Sequence, residues 1–144
     1  MRLPFTPFAT NTQSCFKMKF SPFISSILDY IESSYGAVPD FPWENSEDDC
    51  VLRHKTSKKW FALIMLNVKR SVMGLEGDGH ISVMNLKCDP RLIGSLVGRP
   101  GYHSAYHMNK EHWISILLDG TVPCDEVCSM IDLSYALTSQ KKKR

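Results

Sequence analysis

Apolar and polar residues alternate along the middle of the chain, and this period of two predicts five β-strands. The expected strands are 50–54, 59–68, 80–86, 102–107 and 112–118. The second and fifth are apolar in both alternating sets, which is typical of central strands covered on both faces. The two sets expected for 59–68 are Trp60, Ala62, Ile64 and Leu66 on one side and Phe61, Leu63 and Met65 on the other.

Three further segments repeat their apolar residues with the period of an α-helix. Ser21-Pro22 predicts a helix start, with a serine N-cap and a proline in the first turn, and Gly36 predicts the end of that helix. Asp89-Pro90 repeats the start signal for a second helix, whose expected apolar face is Leu92, Ile93, Leu96 and Val97. The third helix follows Gly120, and its expected inner stripe is Val127, Met130, Ile131, Ser134 and Leu137.

The order of these elements, α-β-β-β-α-β-β-α, predicts a two-layer α+β domain with a five-stranded antiparallel sheet and three helices. Its expected limits are residues 21–138, and the length of 144 residues suits one domain with a substantial core. Residues 1–20 are interrupted by prolines and are expected to be a disordered or extended segment. Met18 is an alternative start to Met1. Residues 139–144 are expected to be a basic tail.

Charge is distributed unevenly along the chain. Seven of the 17 Lys and Arg residues lie in the first 20 residues or in the run Lys141–Arg144, which leaves 10 basic and 15 acidic residues in 21–140. An acidic body disfavours binding of nucleic acid by bulk electrostatic attraction. Residues 51–70, however, contain basic residues and no acidic one, so a local basic face is compatible with the acidic total.

The cysteine pattern and the hydropathy bear on the location of the protein. The cysteines at positions 15, 50, 88, 124 and 128 are odd in number, contain no CxxC pair and accompany no secretory signal pattern. They predict reduced thiols in a cytoplasmic protein, with Cys124 and Cys128 packing on one helix face. No apolar run reaches the roughly 18–20 residues that a membrane span needs, so no membrane association is expected.

His107 and His112 are candidates for metal binding or acid–base chemistry, with Tyr106 and Trp113 beside them. A metal site needs three or four ligands in a defined geometry, and the sequence has no HExxH motif or Cys/His cluster. Histidines beside aromatic residues more often form hydrogen bonds within a fold. The chain also lacks a GxSxG nucleophile elbow and a phosphate-cradling glycine loop. The sequence therefore predicts no catalytic activity, no metal and no cofactor.

Short motifs along the chain carry a resemblance to a known family. They are Tyr35-Gly36, Pro42-Trp43, Arg53-His54, Lys59-Trp60-Phe61-Ala62, Asn85-Leu86-Lys87-Cys88-Asp89-Pro90, Ala105-Tyr106-His107-Met108-Asn109-Lys110 and His112-Trp113. Over about residues 24–138 the chain resembles the MmcQ/YjbR family of small bacterial proteins. The resemblance implies a YjbR-like fold, also described as CyaY-like and related to type III secretion chaperones, and DNA binding through a double wing. Its motif residues are Trp43, Trp60, Asn85, Lys87, Tyr106, His107, His112 and Trp113.

Two hypotheses about function follow. In the first, two β-hairpins are wings on double-stranded DNA, where basic side chains contact phosphates and Asn109 reaches a base edge. The basic residues concerned are Arg53, Lys55, Lys58, Lys59 and Lys110. Hairpin lysines also serve solubility and discourage edge pairing, which is the alternative explanation for them. In the second hypothesis, the sheet face without helices is an apolar patch that binds a protein partner or a second copy, as in a chaperone-like or homodimeric module.

Overall fold

A computed structural model of the protein describes residues 20–139. Within them the helices are α1 (Pro22–Tyr35), α2 (Pro90–Leu96) and α3 (Cys124–Ser139), and a 3-10 helix spans Arg70–Met73. The strands are β1 (Asp49–Arg53), β2 (Trp60–Lys69), β3 (His80–Lys87), β4 (Tyr102–Ser104) and β5 (Trp113–Leu117). They form one antiparallel sheet in the order β1-β2-β3-β5-β4. The predicted α+β fold and element order are confirmed. Residues 1–19 and 140–144, on which the predicted N-terminal segment and basic tail mainly fall, lie outside the described residues.

The helix caps form as the sequence predicts. The Ser21 hydroxyl accepts a hydrogen bond from the backbone N–H of Ile24 at 3.2 Å. Gly36 ends α1 with a left-handed backbone (φ 69°) and donates its N–H to the Glu32 carbonyl at 2.8 Å. The Asp89 carboxylate accepts from the N–H of Arg91 at 2.8 Å at the start of α2. These bonds satisfy backbone groups that a helix end leaves without a partner.

α1 and α3 lie on one face of the sheet and contribute the larger part of the core. Buried residues of α1 and α3 pack with residues of all the strands in one cluster. The predicted stripe of α3 is buried except for Leu137, which is half-buried. The predicted apolar face of α2 is wrong for Leu92 and Val97, which are 42% and 37% exposed. α2 ends at Leu96 and the backbone of Val97 is extended, so Val97 no longer lies on a helix face.

The other face of the sheet is covered as well. Val51, Leu63, Val83 and Leu117 form a second buried cluster with Met73 of the 3-10 helix and with Tyr106 and Met108 from the chain after β4. The prediction that this face is an open apolar patch is therefore wrong. The prediction that the fourth strand reaches His107 is wrong for the same reason, because β4 ends at Ser104 and the chain then folds over the sheet.

A β-bulge in β2 breaks the simple alternation expected there. Leu52 pairs with Ala62 and Arg53 pairs with Trp60, so Phe61 has no partner on β1. Phe61 joins Ala62 in the helix-side cluster, whereas Trp60 packs against the other cluster. The prediction that Phe61 shares a face with Leu63 and Met65 is therefore wrong, because an extra residue shifts the side-chain phase of a strand.

Candidate functional site

Two loops emerge at the same end of the sheet. They are the β1–β2 turn (residues 54–59) and the β4–β5 loop (residues 105–112). The strand register aligns their bases, because the paired residues at this end run in a row across the sheet. The row consists of Leu52, Ala62, Leu86, Ile114 and Ser104. The predicted wings therefore project from one end of the molecule.

The β1–β2 turn carries exposed lysines, and backbone hydrogen bonds close the turn. The N–H of His54 donates to the carbonyl of Lys59 at 2.8 Å, and the N–H of Lys58 donates to the carbonyl of His54 at 3.1 Å. Lys58 has a positive φ of 66°, as a tight turn requires. Lys55, Lys58 and Lys59 are exposed, and none forms an ion pair with another residue in the range 20–139. The side chain of Lys55 lies beside Gly36, where a cation complements the C-terminal end of α1.

His54 fastens this turn to the helical layer. It is buried, and its Nε2 lies 2.7 Å from the Thr138 hydroxyl of α3. That hydroxyl donates to the carbonyl of Ser134 at 2.8 Å, so His54 Nε2–H is the donor in the contact with Thr138. The ring also packs against Tyr135, with centroids 4.1 Å apart. Burial, and then the positive charge of Lys59, lowers the pKa of His54.

Arg53 differs from the neighbouring lysines because its guanidinium already has partners. Its Nε lies 2.8 Å from Oδ2 of Asp40, and its Cζ lies 5.9 Å from the centroid of the Trp60 ring. Trp43 in turn packs edge-on against Trp60 at 5.6 Å and is 38% exposed. Two of the motif tryptophans and Arg53 thus form a surface cluster at the base of the turn.

A buried polar bridge holds the β4–β5 loop against the sheet. Asn85 and Ser115 are completely buried neighbours on β3 and β5. The Asn85 amide donates to the carbonyl of Tyr106 at 2.7 Å, and the Ser115 hydroxyl donates to the Asn85 amide oxygen. The N–H of Tyr106 donates to the Ser115 hydroxyl at 2.9 Å. Asn85 and Tyr106 thus hold the loop in place through this bridge. Ser115, which the sequence did not single out, is its third member.

Asn109 and Lys110 are exposed but contribute to the shape of the loop. The side-chain oxygen of Asn109 accepts from the N–H of Glu111 at 2.7 Å. The side-chain nitrogen of Asn109 takes no part in this bond. The ammonium of Lys110 donates to the carbonyl of Ala105 at 2.9 Å and closes the loop. Both residues lie in the loop that shares the end of the sheet with the lysine turn.

The two histidines of the loop do not form a metal site. His107 and His112 are exposed, and the His107 ring packs against Tyr106 with centroids 3.9 Å apart. The backbone carbonyl of His112 accepts from the N–H of Cys88 at 2.8 Å. No group of three or more His, Cys, Asp or Glu residues among positions 20–139 is arranged to hold a metal ion.

Lys87 and Trp113 pair at the start of β5. The two residues are register partners of β3 and β5 at the end of the sheet that carries the loops. The Lys87 ammonium lies 5.7 Å from the centroid of the Trp113 ring, a cation–π contact. Both residues are half-buried, so this contact covers the sheet where the β4–β5 loop returns to it.

The four cysteines in the described part of the chain form no disulfide bond. Cys50 and Cys88 are buried, and Cys124 and Cys128 are half-buried one turn apart on α3. Burial raises the pKa of Cys128 to about 12, so its thiol stays protonated at neutral pH. This agrees with the predicted packing role of the pair on one helix face.

The excess negative charge of the domain equals the charge of two helices, α1 and α3. α1 and α3 contain acidic residues and no Lys or Arg, namely Asp29, Glu32, Asp125, Glu126 and Asp132. These five account for the whole excess of 15 acidic over 10 basic residues in 21–140. The sheet and its loops therefore carry equal numbers of acidic and basic residues.

The fold and these loops define a class of small α+β proteins in which helices cover one face of an antiparallel sheet and loops cover the other. The chain belongs to the YjbR family, whose family model matches residues 32–137. It is 43% identical over 112 residues to uncharacterized protein YyaQ of Bacillus subtilis (strain 168), a match that covers 78% of this chain and 94% of that protein.

Solved structures show the same fold. A crystal structure of a Pseudomonas syringae protein has a TM-score of 0.76 and 43% identity, covering 79% of this chain and 97% of that one. A crystal structure of Deinococcus radiodurans protein DR2400, described as family-model domain DUF419, has a TM-score of 0.58 and 23% identity. It covers 84% of this chain and 79% of that one. Within residues 20–139, no helix is long and apolar enough to cross a membrane.

Proposed function

We propose that the protein binds double-stranded DNA with the end of the sheet that carries the β1–β2 turn and the β4–β5 loop, and that it catalyses no reaction there. The observation that supports this most directly is the exposure of Lys55, Lys58 and Lys59 on a hydrogen-bonded turn where no described acidic side chain neutralises them. Exposed ammonium groups on a hydrogen-bonded turn suit contacts with phosphates, which supply a large share of the affinity of proteins for DNA.

The distribution of charge removes the main objection to this proposal. A domain with net negative charge repels DNA. This repulsion weakens with distance and is screened over about 8–10 Å at physiological salt. The excess negative charge lies on α1 and α3, which cover one face of the sheet, and the lysine turn meets these helices at their C-terminal ends, beside Gly36 and Thr138. In our proposal, phosphates at the loop end of the sheet contact the exposed lysines.

The structure divides the candidate DNA contacts into two groups. Lys55, Lys58 and Lys59 have exposed ammonium groups, and Asn109 has an amide nitrogen for a base edge. Arg53 is held by Asp40 and Trp60, and Lys110 is held by the carbonyl of Ala105. In our proposal the first group contacts DNA, and Arg53 and Lys110 mainly hold the two loops in position.

Binding of a partner through an apolar sheet face has less support. Loops cover that face, and a short segment bonds to one residue of each edge strand. Asp40 and Val51 exchange two backbone hydrogen bonds outside β1, at 3.0 and 2.8 Å. Outside β4, the backbone of Tyr102 bonds with Gly98 and Arg99. Covered faces and edges leave little for strand addition or sheet packing by another chain.

The test is fluorescence anisotropy of a labelled duplex with the full chain at low and near-physiological salt. We expect Lys58→Glu/Lys59→Glu to weaken binding at least about tenfold and to lower the salt slope by roughly one per lost phosphate contact. Lys69→Glu is the control, because this exposed lysine ends β2 at the opposite end of the sheet.

A second variant tests whether DNA binding comes from the folded domain or from the basic run at the end of the sequence. A chain without Lys141–Arg144 should keep salt-sensitive binding, and that binding should still depend on Lys58 and Lys59. Binding that disappears with Lys141–Arg144 and ignores the turn variants would overturn the proposal, as would binding that does not change with salt.

A further inference from the structure

A cleft of about 730 Å³ opens on the loop-covered face of the sheet, beside β4 and β5. One wall is the 3-10 helix and the residues after it, 70–75. The other wall is the segment 97–106, which includes β4, and Leu117 of β5 lies between them. Its volume falls within the range of small-molecule sites, which is roughly 300–1,000 Å³.

Part of the cleft lining is apolar. Val72, Met73 and Leu75 contribute to one wall, Val97 contributes to the other, and Leu117 is buried in the sheet between them. Val72 and Val97 are among the exposed large apolar residues of the domain, at 50% and 37%. A ligand with an apolar body would remove these side chains from water, which is favourable in proportion to the area buried.

The charged groups of the same cleft are predominantly basic. Arg70, Arg99 and Lys110 line it, together with one acidic residue, Asp119. Arg70 Nε donates to the carbonyl of Glu76 at 2.9 Å, and the Arg99 guanidinium lies 5.8 Å from the centroid of the Tyr102 ring. These contacts orient the two guanidinium groups without neutralising them, because neither forms an ion pair with a described residue.

We infer that this cleft binds an organic anion with an apolar body. Guanidinium groups present paired N–H donors that match carboxylate, sulfonate or phosphate oxygens, and the contacts above already restrict their movement. The apolar walls suit a hydrocarbon or aromatic group better than the sugar–phosphate backbone of DNA. The inference therefore concerns a site separate from the lysine turn, and it does not depend on DNA binding.

Naphthalene-1-sulfonate is a suitable probe, because it joins an aromatic body to one anionic group. We expect its titration into the ¹⁵N-labelled full chain to shift backbone amide resonances around the cleft in a saturable way, with Gly98, Gly101 and Tyr106 among them. The neutral analogue naphthalene-1-methanol should bind at least tenfold more weakly, since the guanidinium contacts are lost.

Substitutions test whether the probe binds in the cleft or elsewhere on the surface. Arg99→Gln and Arg70→Gln should each weaken naphthalene-1-sulfonate binding about tenfold, which corresponds to about 1.4 kcal/mol. Arg91→Gln is the matched control, because Arg91 is exposed on α2 and pairs with Asp89 outside the cleft. All three variants should retain the dispersed spectrum of the folded chain.

Three results would overturn the inference. They are resonance shifts scattered over the surface, equal affinity for the neutral analogue, and equal losses in Arg91→Gln and Arg99→Gln. Each would mean that the cleft is a solvent-filled groove whose arginines do not select anions.

Discussion

Asn85 is a buried polar residue in the centre of a mainly apolar sheet. Its side chain connects β3 with Ser115 of β5 and with the backbone of Tyr106, and so it holds the β4–β5 loop over the second core cluster. Burying an amide without hydrogen-bond partners costs free energy. Asn85 therefore favours the loop position in which its side chain is hydrogen-bonded.

We expect Asn85→Leu to lower the free energy of unfolding by about 2 kcal/mol or more, because the Tyr106 carbonyl loses its donor in a part-buried site. Urea unfolding followed by circular dichroism measures the change. Asn67→Ala is the control, since Asn67 is exposed and its only side-chain bond shown, to Asp48, is long at 3.3 Å. Equal losses in both variants would mean that the bridge does not stabilise the loop.

His54 makes the stability of the domain depend on pH. Its folded-state pKa lies below the ordinary value of 6.5, so the unfolded chain binds the proton more readily than the folded one. The stabilisation by neutral His54 is therefore complete above about pH 6.5 and is lost as the pH falls below it.

Urea midpoints of the wild type should thus fall between pH 7.5 and pH 5.5, and His54→Gln should show a smaller fall over the same range. His112→Gln is the control, because His112 is exposed. The explanation fails if His54→Gln keeps the full pH dependence of the wild type.

At the scale of the elements, side chains join helices and strands that are far apart in sequence. Tyr30 and Tyr35 of α1 both donate to the carboxylate of Asp132 on α3, at 2.7 and 2.5 Å. Tyr102 of β4 donates to Glu126 of α3. Burial and the bond to Asp132 raise the pKa of Tyr35, so its hydroxyl remains a donor throughout the physiological range. Two of the acidic residues of the helical layer thus also fix α3 against its neighbours.

Two glycines near α2 provide a matched test of the local backbone. Gly101 has φ 86°, and a Cβ there would lie 2.5 Å from a methyl group of Val122, whereas a Cβ on Gly94 would meet nothing within 4 Å. We expect Gly101→Ala to destabilise the domain by about 2 kcal/mol or more through clash and backbone strain. Gly94→Ala should stabilise it by about 0.5–1 kcal/mol, because alanine favours the helix. Thermal unfolding by calorimetry compares the two, and a loss in Gly94→Ala would contradict the open space around it.

At the scale of the whole molecule, the sheet separates two surfaces of different character. One is an acidic helical layer, and the other consists of loops that cover the second core cluster, carry the basic residues and border the cleft. The proposed DNA contacts lie at one end of the sheet and the proposed anion site lies on its loop-covered face. The β4–β5 loop borders both regions, but the lysine turn does not line the cleft, so the turn variants and the cleft variants change different sites.

The sequence alone was enough for the three α-helices and five strands in their order, the helix caps and the turn that carries Lys55, Lys58 and Lys59, but not for the 3-10 helix. These features depend on local physics, namely the period of the apolar residues, the chemistry of the N-cap and the hydration of lysines in a turn. The sequence also placed Asn109 and Lys110 in an exposed loop, because polar residues there separate two apolar runs.

Only the tertiary structure decided the bulge at Phe61, the loop cover over the second sheet face, the partners of Asn85 and Arg53, and the cleft between residues 70–75 and 97–106. It also decided that the acidic residues of α1 and α3 share one layer. Each of these depends on contacts between segments distant along the chain, and packing, rather than the local pattern, selects which of them form.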